Sequence, residues 1–568
     1  MKQFRIIILI LALCGIFSIA SSQDFLWAKQ MGGNSSDIAY SITSDAMGNV
    51  YATGRFNGIV DFDPGIGVYN LSSNGLDDIF VCKLDHNGNL SWAIQIGGAD
   101  EDYGLYIARD NLENIYVTGY FKLTADFDPS AGNFSMTSAG YNDIFISKFD
   151  SSGNFIWAKQ MGGPGSDSGM SITTDAFGNV YTTGCFNGTV DFDPGPGIFN
   201  LTSASLNDIY VSKLGSAGSL IWVRQIGGNS YDNVVTIALD FSQNIYITGN
   251  FWGTCDFNPD TTSHYLTSSG HFDIYILKLD SSGSFVWVKQ MGGSQADDGY
   301  SVVIDIAGNI YLTGIFRDTA DIDPGPNTFN LISSGNYDFF ISKLDSLGNL
   351  LWAKSFGSYG DDIAYCIKMD LPGNIYITGG FTGVIDFDLG AGVYNLISTG
   401  GVNDIFTAKF DTSGSLLWAK GIGGVTWDFA CSVAIDSSNN VYTAGCFTST
   451  VDFDPNGGTY NLTAVGGYDI FIQKLGQSST GIIENNSNDK LKVFPNPTTG
   501  NFIISYQHRI INGNIEILNA LGQNVYEENI LNQSKKEINI GNFAEGIYFV
   551  KVFDGERSYC KKFVVKKD

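Results

Sequence analysis

The sequence predicts an all-β chain: a seven-bladed β-propeller closed by an N-terminal strand, plus a small C-terminal Ig-like β-sandwich. Three observations support this fold class. Tryptophan recurs at a spacing of 65 residues, each interval holds four short alternating segments, and the 568-residue chain combines 69 glycines with 14% aromatic and 16% charged residues. Such a composition is typical of many short strands joined by tight turns.

Residues 1–23 have the pattern of a secretory signal peptide. Lys2 and Arg5 precede an apolar run from Ile6 to Ala20, and small residues follow this run. A charged start, a short apolar core and small residues at the cleavage point define this class of segment. No later apolar stretch is long enough to cross a bilayer, so we expect no integral membrane segment after signal removal.

Charge and cysteine content limit the classes of partner. The formal net charge is −27, so a phosphate backbone would be repelled and we expect no nucleic-acid partner. Seven cysteines follow the signal peptide, an odd number without CxxC pairs. We therefore expect buried apolar side chains rather than a disulfide framework.

Seven tryptophans mark the repeating units of the chain. Six spacings can be measured between them: five are 65 residues long and the last is 66 residues long. The tryptophans are Trp27, Trp92, Trp157, Trp222, Trp287, Trp352 and Trp418. The extra residue lies between Asp386 and Asp404, in a connection, where insertions are best tolerated.

Each unit contains four predicted strands, which we label A to D. In the third unit they are Met170–Asp175, Asn179–Phe186, Asp208–Leu214 and Leu220–Gln225. Glycine-containing turns join A to B and C to D. Repeated four-stranded units bury both sheet faces when they stack, which favours blades around an axis.

The order of the strands distinguishes a closed ring from an open solenoid, the alternative architecture. The mature chain begins with a D strand, Phe25–Gln30, and its repeats end with a C strand, Asp469–Leu475. The first strand can therefore complete the last unit. Because closure removes exposed sheet edges, we expect residues 24–475 to form a closed seven-bladed propeller.

The repeated text also resembles a known family. The segments FLWAKQMGG, GNVYxTGxF and DIFxxKLDxxG recur from Asp24 to Leu475 and are similar to the bacterial β-propeller repeat family called SBBP. That family is defined by its fold and its repeat, so the resemblance implies a propeller and leaves the activity open.

The long connections are predicted to share one face of the propeller. The A–B and C–D turns are short, whereas the D–A connection (Gln160–Asp167 in the third unit) and the B–C connection (Asn187–Asn207) are long. Loops on a rigid scaffold commonly carry function. We therefore place the recognition surface on the face of the B–C and D–A connections.

A repeated Asp-Phe-Asp-Pro-Gly motif in the B–C connection offers candidate calcium ligands. In an extended segment its two carboxylates lie on one side and the Phe on the other, and carboxylates with Gly carbonyls suit calcium. The alternative is that Asp accepts backbone N–H bonds while Pro-Gly forms a turn. The candidate ligands are Asp61 and Asp63, Asp126 and Asp128, Asp191 and Asp193, Asp321 and Asp323, Asp386 and Asp388, and Asp452 and Asp454.

The search for an enzyme centre concentrates on residues that break the repeat. The fourth unit holds His264 and His271, but they occupy the packing positions of Phe199 and Leu206, and zinc-type spacing is missing. No known catalytic motif has a suitable context. We favour a non-enzymatic interpretation without a cofactor other than calcium. We also expect the repeated tryptophans to pack between blades rather than form a sugar platform.

The C-terminal residues differ in pattern from the repeats. A polar linker covers 476–490, and alternating strands within 491–568 are sufficient for a small sandwich. The segments VFPNPTTG, LGQNVY, FAEGIYFVKV and KKFVVKK resemble the type A C-terminal sorting domain of type IX secretion. The resemblance implies a Gram-negative bacterium of the Bacteroidota kind and passage across the outer membrane, with release or surface attachment. The alternative is an adhesive Ig-like module.

Together these patterns predict a secreted or outer-membrane cell-surface protein that is a binding or adhesion scaffold. Its partners would be the type IX secretion machinery, through residues 491–568, and an extracellular glycan or protein. The alternative function is a secreted hydrolase or lyase with its active site on the same propeller face.

Overall fold

The computed structural model describes residues 23–477, 491–496, 498–499, 501–519, 524–539, 543–553 and 558–566. The predicted signal peptide, except residue 23, and residues 478–490 of the predicted linker lie outside the described residues. The chain divides into two compact parts, Met1–Gln477 and Ser478–Asp568. We call them the repeat region and the C-terminal region.

The regular elements of the described residues are all β-strands. In the repeat region they are β1 (Gln23–Gly33), β2 (Ile38–Ser44), β3 (Val50–Asp61), β4 (Asn70–Leu84), β5 (Leu90–Gly98), β6 (Tyr103–Arg109), β7 (Ile115–Asp126), β8 (Ser135–Phe149), β9 (Phe155–Met161), β10 (Ser168–Thr174), β11 (Val180–Asp191), β12 (Asn200–Leu214), β13 (Leu220–Gly228), β14 (Asp232–Leu239), β15 (Ile245–Phe251), β16 (Thr254–Asp256) and β17 (Tyr265–Thr267). They continue with β18 (Asp273–Leu279), β19 (Phe285–Gly293), β20 (Asp298–Ile304), β21 (Ile310–Asp321), β22 (Asn330–Leu344), β23 (Leu350–Phe356), β24 (Ile363–Met369), β25 (Ile375–Phe381), β26 (Val384–Asp386), β27 (Asn395–Ile397), β28 (Asp404–Phe410), β29 (Leu416–Ile422), β30 (Phe429–Ile435), β31 (Val441–Phe447), β32 (Thr450–Asp452), β33 (Asn461–Thr463) and β34 (Asp469–Gln477).

Antiparallel pairing repeats the predicted A, B, C, D order. In the first set β2 pairs with β3, β3 with β4, and β4 with β5. In the last set β30 pairs with β31, β31 with β34, and β34 with β1. Phe25 lies opposite Leu475 and Met31 opposite Ile470 in that final pairing. The N-terminal strand therefore pairs with the strand that ends the repeats.

The apolar cores lie between neighbouring sets of strands. One cluster joins Val50 and Phe80 of the first set to Tyr442 and Ile470 of the last, and these four side chains are fully buried. Strands B and C are apolar on both faces because a neighbouring sheet covers each face. Each buried large apolar side chain contributes about 1.5–3 kcal/mol of transfer free energy. The same packing arrangement recurs from one repeat to the next, so this contribution recurs with it.

The B–C connection is more regular than predicted. In the third unit β11 continues to Asp191 and β12 begins at Asn200, so the predicted loop Asn187–Asn207 is largely a hairpin extension with an irregularity after Asn187. Its alternating threonines explain the pairing, since the hydroxyls of Thr189 and Thr202 are 2.9 Å apart. We call this segment and its equivalents the B–C arm.

Each of several B–C arms is also joined to the preceding set of strands. Gly32 of β1 lies opposite Asp61 of β3, Gly97 opposite Asp126, and Gly292 opposite Asp321. A side chain at Gly33 would collide with the backbone of Ile59. Glycine at the end of strand D therefore permits the close backbone approach that links neighbouring sets.

The repeated tryptophans join adjacent sets from the opposite end of strand D. Trp92 Nε1 and Lys83 Nζ donate to the carbonyl oxygen of Ser151 at 3.2 and 3.3 Å, and this residue lies in the C–D turn of the next unit. The Lys83 ammonium also lies 4.8 Å from the centroid of the Tyr51 ring. The tryptophans at 27, 157 and 352 make the same bond. The prediction that these tryptophans pack between units is confirmed.

We expect Trp92→Phe to lower the free energy of unfolding by about 1 kcal/mol, because the indole N–H bond to Ser151 is lost while the aromatic packing remains. Urea unfolding monitored by far-ultraviolet circular dichroism, which reports the backbone, measures this change. Trp427→Phe is the matched control, since its side chain is 52% exposed. Equal effects of the two substitutions would contradict the proposed inter-unit bond.

The C-terminal region has its own sheet and core. Its described strands are β35 (Leu491–Phe494), β36 (Asn501–Asn519), β37 (Asn524–Asn539), β38 (Gly546–Phe553) and β39 (Ser558–Val565). β36 pairs with β35, β37 and β38, and β38 pairs with β39. Fully buried Phe502, Ile517 and Val550 belong to one cluster.

Two strands of the C-terminal region are long. The alternating segments Asn501–Tyr506 and Asn514–Asn519 both belong to β36, and the alternating segments Asn524–Asn529 and Lys536–Ile540 coincide largely with β37. The polar residues between them resemble a turn in sequence. They nevertheless pair across the two strands, as Asn512 does with Leu531, because a long hairpin satisfies backbone groups whatever the side chains are.

Candidate functional site

The tip of each B–C arm is organised by the first carboxylate of the repeated motif. Asp61 Oδ1 accepts hydrogen bonds from the backbone N–H groups of Asp63 (3.0 Å) and Tyr69 (2.8 Å). The same two bonds recur in the motifs that begin at Asp126, Asp191, Asp321, Asp386 and Asp452. The carboxylate thus closes the turn at the tip, as short acidic side chains commonly do.

The second carboxylate binds the glycine part of the motif. Asp63 Oδ1 accepts a bond from Gly65 N at 2.8 Å, and a side chain at Gly67 would collide with Asp63 Oδ2. The equivalent carboxylates are Asp128, Asp193, Asp323, Asp388 and Asp454. These are the bonds that the turn alternative expects.

The central residue of the motif is a packing anchor, as predicted. Phe62 is fully buried, and its ring centroid lies 5.4 Å from that of Phe56 and 5.2 Å from that of Phe80. Within the described residues, no group of three or more His, Cys, Asp or Glu side chains is arranged to hold a metal ion. Calcium binding by the paired carboxylates stays a prediction.

Grooves lie between neighbouring units beside these tips. One groove of about 440 Å³ is lined by Phe199, Leu201 and Arg224 of the third unit and by Asp256 and Asn258 of the fourth. A second groove of about 420 Å³ occupies the equivalent place between the sixth and seventh units. Tyr394, Leu396, Lys420, Asp452 and Asp454 hold the matching positions there. The repeat therefore produces the same cleft more than once.

The floor of each groove contains a buried carboxyl at the start of strand C. Asp208 Oδ2 accepts bonds from Ala204 N (3.1 Å) and Gln225 Nε2 (2.6 Å), and burial raises its pKa. Burial likewise raises the pKa of Asp404 to about 7. Their backbone bonds show that these repeated acids cap the turn at the start of strand C.

A second buried carboxyl lies in each D–A connection. Asp102 accepts bonds from Gly98 N (2.7 Å) and Lys122 N (2.9 Å), so it ties this connection to the start of the B–C arm. Its side chain is fully buried, and burial raises its pKa to about 7, with Asp78 nearby adding to the rise. Each unit therefore encloses two acidic groups beneath the face of the long connections.

The histidines of the fourth unit take part in aromatic packing. His264 lies 5.0 Å from Phe285 between ring centroids, in the way that Phe134 lies 5.2 Å from Phe155. His271 is stacked on Trp252 with centroids 6.0 Å apart. The structure thus supports the prediction that both replace packing residues. Among the described residues, no group of three or more His, Cys, Asp or Glu side chains that could hold a metal ion includes either of them.

A cluster of charged and hydroxyl groups that breaks the repeat was missed in the sequence. Arg55 Nη1 lies 2.5 Å from Asp77 Oδ2, and Arg55 Nε donates to the Tyr40 hydroxyl at 3.0 Å. The Tyr103 hydroxyl donates to the same oxygen of Asp77 at 3.0 Å, and burial raises the pKa of Tyr103 to about 12. Comparing equivalent positions would have found it, since Tyr120 and Asn142 follow Arg55 and Asp77 in the next unit.

A central cavity of about 450 Å³ was also missed. It is lined by the last residues of β2, β6, β10, β14, β20, β24 and β30, which are the A strands. Arg109 and Lys368 are the charged residues on its wall. The signal was again present in the sequence, because equivalent A-strand positions carry Thr43, Thr173 and Val303 instead of Lys368.

The described cysteines behave as predicted. Cys82, Cys185, Cys255, Cys366 and Cys446 are buried and unpaired. Cys431 is partly exposed and also free. Burial raises the pKa of Cys82 to about 12, so this thiol is protonated and packs as a small apolar group.

Comparison with known families identifies both parts of the chain. A model described as a beta-propeller repeat matches residues 156–185, 221–253 and 286–314. A model described as a secretion system C-terminal sorting domain matches residues 492–566. The two resemblances seen in the sequence are confirmed. The type IX sorting domain indicates secretion with cell-surface or outer-membrane attachment. Within the described residues, no helix has the length and apolarity needed to cross a membrane.

Two curated relatives and one solved structure are similar to part of this chain. An uncharacterized WD repeat-containing protein of Acanthamoeba polyphaga mimivirus is 25% identical over 513 residues, covering 76% of this chain and 36% of that protein. Regulatory protein FlaEY of Caulobacter vibrioides is 22% identical over 303 residues, covering 49% of this chain and 30% of that protein. The chain thus spans about a third of the length of these relatives. A gluconolactonase structure from Xanthomonas campestris has 12% identity, covers 64% of this chain and 90% of its own, and gives a TM-score of 0.27.

Proposed function

We propose that this chain, which carries beta-propeller repeats and a type IX sorting domain, is a non-enzymatic binding or adhesion scaffold outside the cell. Its ligand, an extracellular glycan or protein, would bind on the face of the B–C and D–A connections. The observation that carries this proposal is the recurrence of the inter-unit groove at equivalent positions. Repeated equivalent clefts suit a ligand that itself repeats, since linked weak contacts give high avidity.

The architecture proposed for the scaffold is a closed ring of seven blades over residues 24–475. Two observations support it. The A strands of consecutive sets adjoin one another, and β30 of the last set adjoins β2 of the first. In addition, β1 supplies the fourth strand beside β34. A closed ring has no exposed sheet edge and holds its clefts at fixed spacing.

The chemistry of the grooves favours hydroxylated ligands. Phe199 and Tyr394 are 45% and 39% exposed, so each offers an aromatic face. Carboxylates and a Lys or Arg lie across the same cleft. Lys420 Nζ donates to Asn456 Oδ1 at 2.6 Å, which shows that hydrogen bonds span the two units. Aromatic faces with a few placed polar groups are typical of sugar-binding clefts.

The C-terminal region is proposed to serve export. Residues 491–568 would bind the type IX secretion machinery, with 476–490 as a linker. The two halves of β36 pair with different strands, residues 501–506 with β35 and residues 514–519 with β38. We interpret these halves as belonging to the two layers of an Ig-like sandwich.

A binding screen tests the proposed function. The secreted full-length chain is applied to glycan and matrix-protein arrays, with calcium and with a chelator. We expect binding that falls at least about tenfold in the double variant Phe199→Ala with Tyr394→Ala, since both aromatic faces are lost. Phe177→Ala is the matched control, because this phenylalanine is 78% exposed in an A–B turn. Unchanged binding by the double variant would contradict the groove as the recognition surface.

The alternative function is a secreted hydrolase or lyase on the same face. The cluster of Arg55, Asp77 and Tyr103 supports it, because it is a set of acid–base groups that breaks the repeat. Each glycan that binds on the array is therefore incubated with the protein and its products are separated by size. Cleavage that disappears in Asp77→Asn would establish the enzyme and overturn the scaffold.

A further inference from the structure

The central cavity is separate from the grooves and lies toward the opposite face. Its lining residues are the C-terminal residues of the A strands, such as Ser44, Arg109 and Leu239. Each A strand ends in an A–B turn, and Gly48 in the first such turn has a φ of 78°. The cavity therefore lies near the face of the short turns, where we did not expect a recognition surface.

The charge of this cavity opposes that of the protein. No aspartate or glutamate is among the described residues that line it, although the chain has a formal net charge of −27. Its wall carries two cationic side chains, Arg109 and Lys368. Arg109 is paired with Glu113, so Lys368 supplies the positive charge that can attract an anion to this wall.

Lys368 lacks a carboxylate partner among the described residues. Its ammonium Nζ lies 3.3 Å from the hydroxyl oxygen of Tyr106 on the far side of the cavity wall, 262 residues away in sequence. The nearby Tyr106 also raises the pKa of Lys368, so the side chain is charged at neutral pH. Lys368 is half-buried, and without a carboxylate partner in the described residues it is available to pair with a ligand carboxylate.

Arg109 is the second cationic residue of the wall. Its Nη1 pairs with Glu113 at 2.5 Å and its Nη2 donates to the Ser44 carbonyl at 3.1 Å. Its Nε is buried without a hydrogen-bond partner in the described part of the chain. Because these groups are paired or buried, Arg109 shapes the wall and leaves recognition of an anion to Lys368.

The remaining wall alternates between hydroxyl and aliphatic groups. Thr43 and Thr173 supply hydroxyls, and Ala238 and Val303 supply apolar surface. A ring with hydroxyls on its rim and C–H groups on its faces matches such a wall. The volume of about 450 Å³ is sufficient for a molecule of monosaccharide size.

We propose that the central cavity binds a small hydroxylated carboxylate of the hexuronate class, with its carboxylate beside Lys368 and Tyr106. This site is independent of the grooves, so its ligand differs from the one bound on the opposite face. It depends on the tertiary structure that places Lys368 and Tyr106 within 3.3 Å of each other in this cavity.

Isothermal titration of the secreted full-length chain with D-glucuronate, and with D-glucose as the neutral match, tests this site. We expect glucuronate to bind at least about tenfold more tightly than glucose, and Lys368→Met to abolish the difference. Tyr106→Phe is expected to weaken glucuronate binding about threefold, because one neutral hydrogen bond is lost. Lys159→Met, which removes the same charge from a D strand outside the cavity wall, is expected to bind as the natural chain does.

The variant Lys368→Arg keeps the test decisive if Lys368→Met fails to fold. It retains the positive charge, and we expect glucuronate to bind within about fivefold of its natural affinity. Circular dichroism establishes that each variant is folded. Equal binding of glucuronate and glucose by the natural chain would overturn the proposal. Undiminished glucuronate binding by folded Lys368→Met would also overturn it.

Discussion

Ala28→Glu is expected to lower the free energy of unfolding of the repeat region by about 3–5 kcal/mol and its thermal midpoint by roughly 5 °C or more. Ala28 lies in β1 opposite Gln473 of β34 and is fully buried against Ile405, Phe447 and Phe471. A glutamate there places a charge in an apolar cluster. If β1 closes the ring, the substitution weakens the contact on which closure depends.

Leu26→Glu is the matched control for this substitution. It adds the same charge to the same strand, two residues away, where the side chain is 50% exposed. We expect its midpoint to change by less than about 1 °C, as for most exposed substitutions. Differential scanning calorimetry of both variants makes the comparison. Similar midpoints for Ala28→Glu and Leu26→Glu would contradict ring closure by the N-terminal strand.

Lowering the pH from 8 to 5 is expected to raise the thermal midpoint of the repeat region by about 5 °C. The reason is the buried carboxyl pair in each unit. Burial is the first cause of a raised pKa at these groups, to about 7 at Asp37, Asp102, Asp167, Asp232, Asp297 and Asp404 and to about 6 at Asp78, Asp338, Asp362 and Asp428.

The direction follows from proton binding. The pKa of these carboxyls is higher in the folded chain than the ordinary aspartate value of 3.8, so the folded chain holds more protons between about pH 4 and pH 7. The resulting stability is fully present below pH 4 and is lost as the pH rises through 6 and 7. Turn aspartates such as Asp85 and Asp150 have lowered pKa values, and their contribution changes only below this window.

Two controls separate this effect from general charge repulsion. Calorimetry between pH 5 and pH 8 is repeated in 0.5 M salt, which screens exposed charges over a few ångströms and leaves buried groups largely unaffected. Asp85→Asn removes a turn carboxylate outside the buried set. We expect the same pH dependence in salt and in this variant. A midpoint that is highest at pH 8 would contradict the raised pKa values.

Much of the candidate site could be predicted because its causes are local. The Asp-Phe-Asp-Pro-Gly text indicated a turn in which the phenylalanine packs inward, and Phe62 is fully buried beside Asp61 and Asp63, which hold backbone N–H groups. The B–C arm was predicted as a loop, since its Gly, Asn and Ser residues resemble turns. The pairing of its two halves depends on strands B and C lying side by side, as β11 and β12 do in the structure.

The sequence by itself determined the repeat, the strand order and the sorting domain, because alternation, turn residues and motif spacing act within a few neighbouring residues. Only the tertiary structure decided which residues meet around the axis. Lys368 and Tyr106 are 262 residues apart, yet the ammonium of one lies 3.3 Å from the hydroxyl of the other. Such contacts depend on how the units are arranged around one axis, which no local pattern contains.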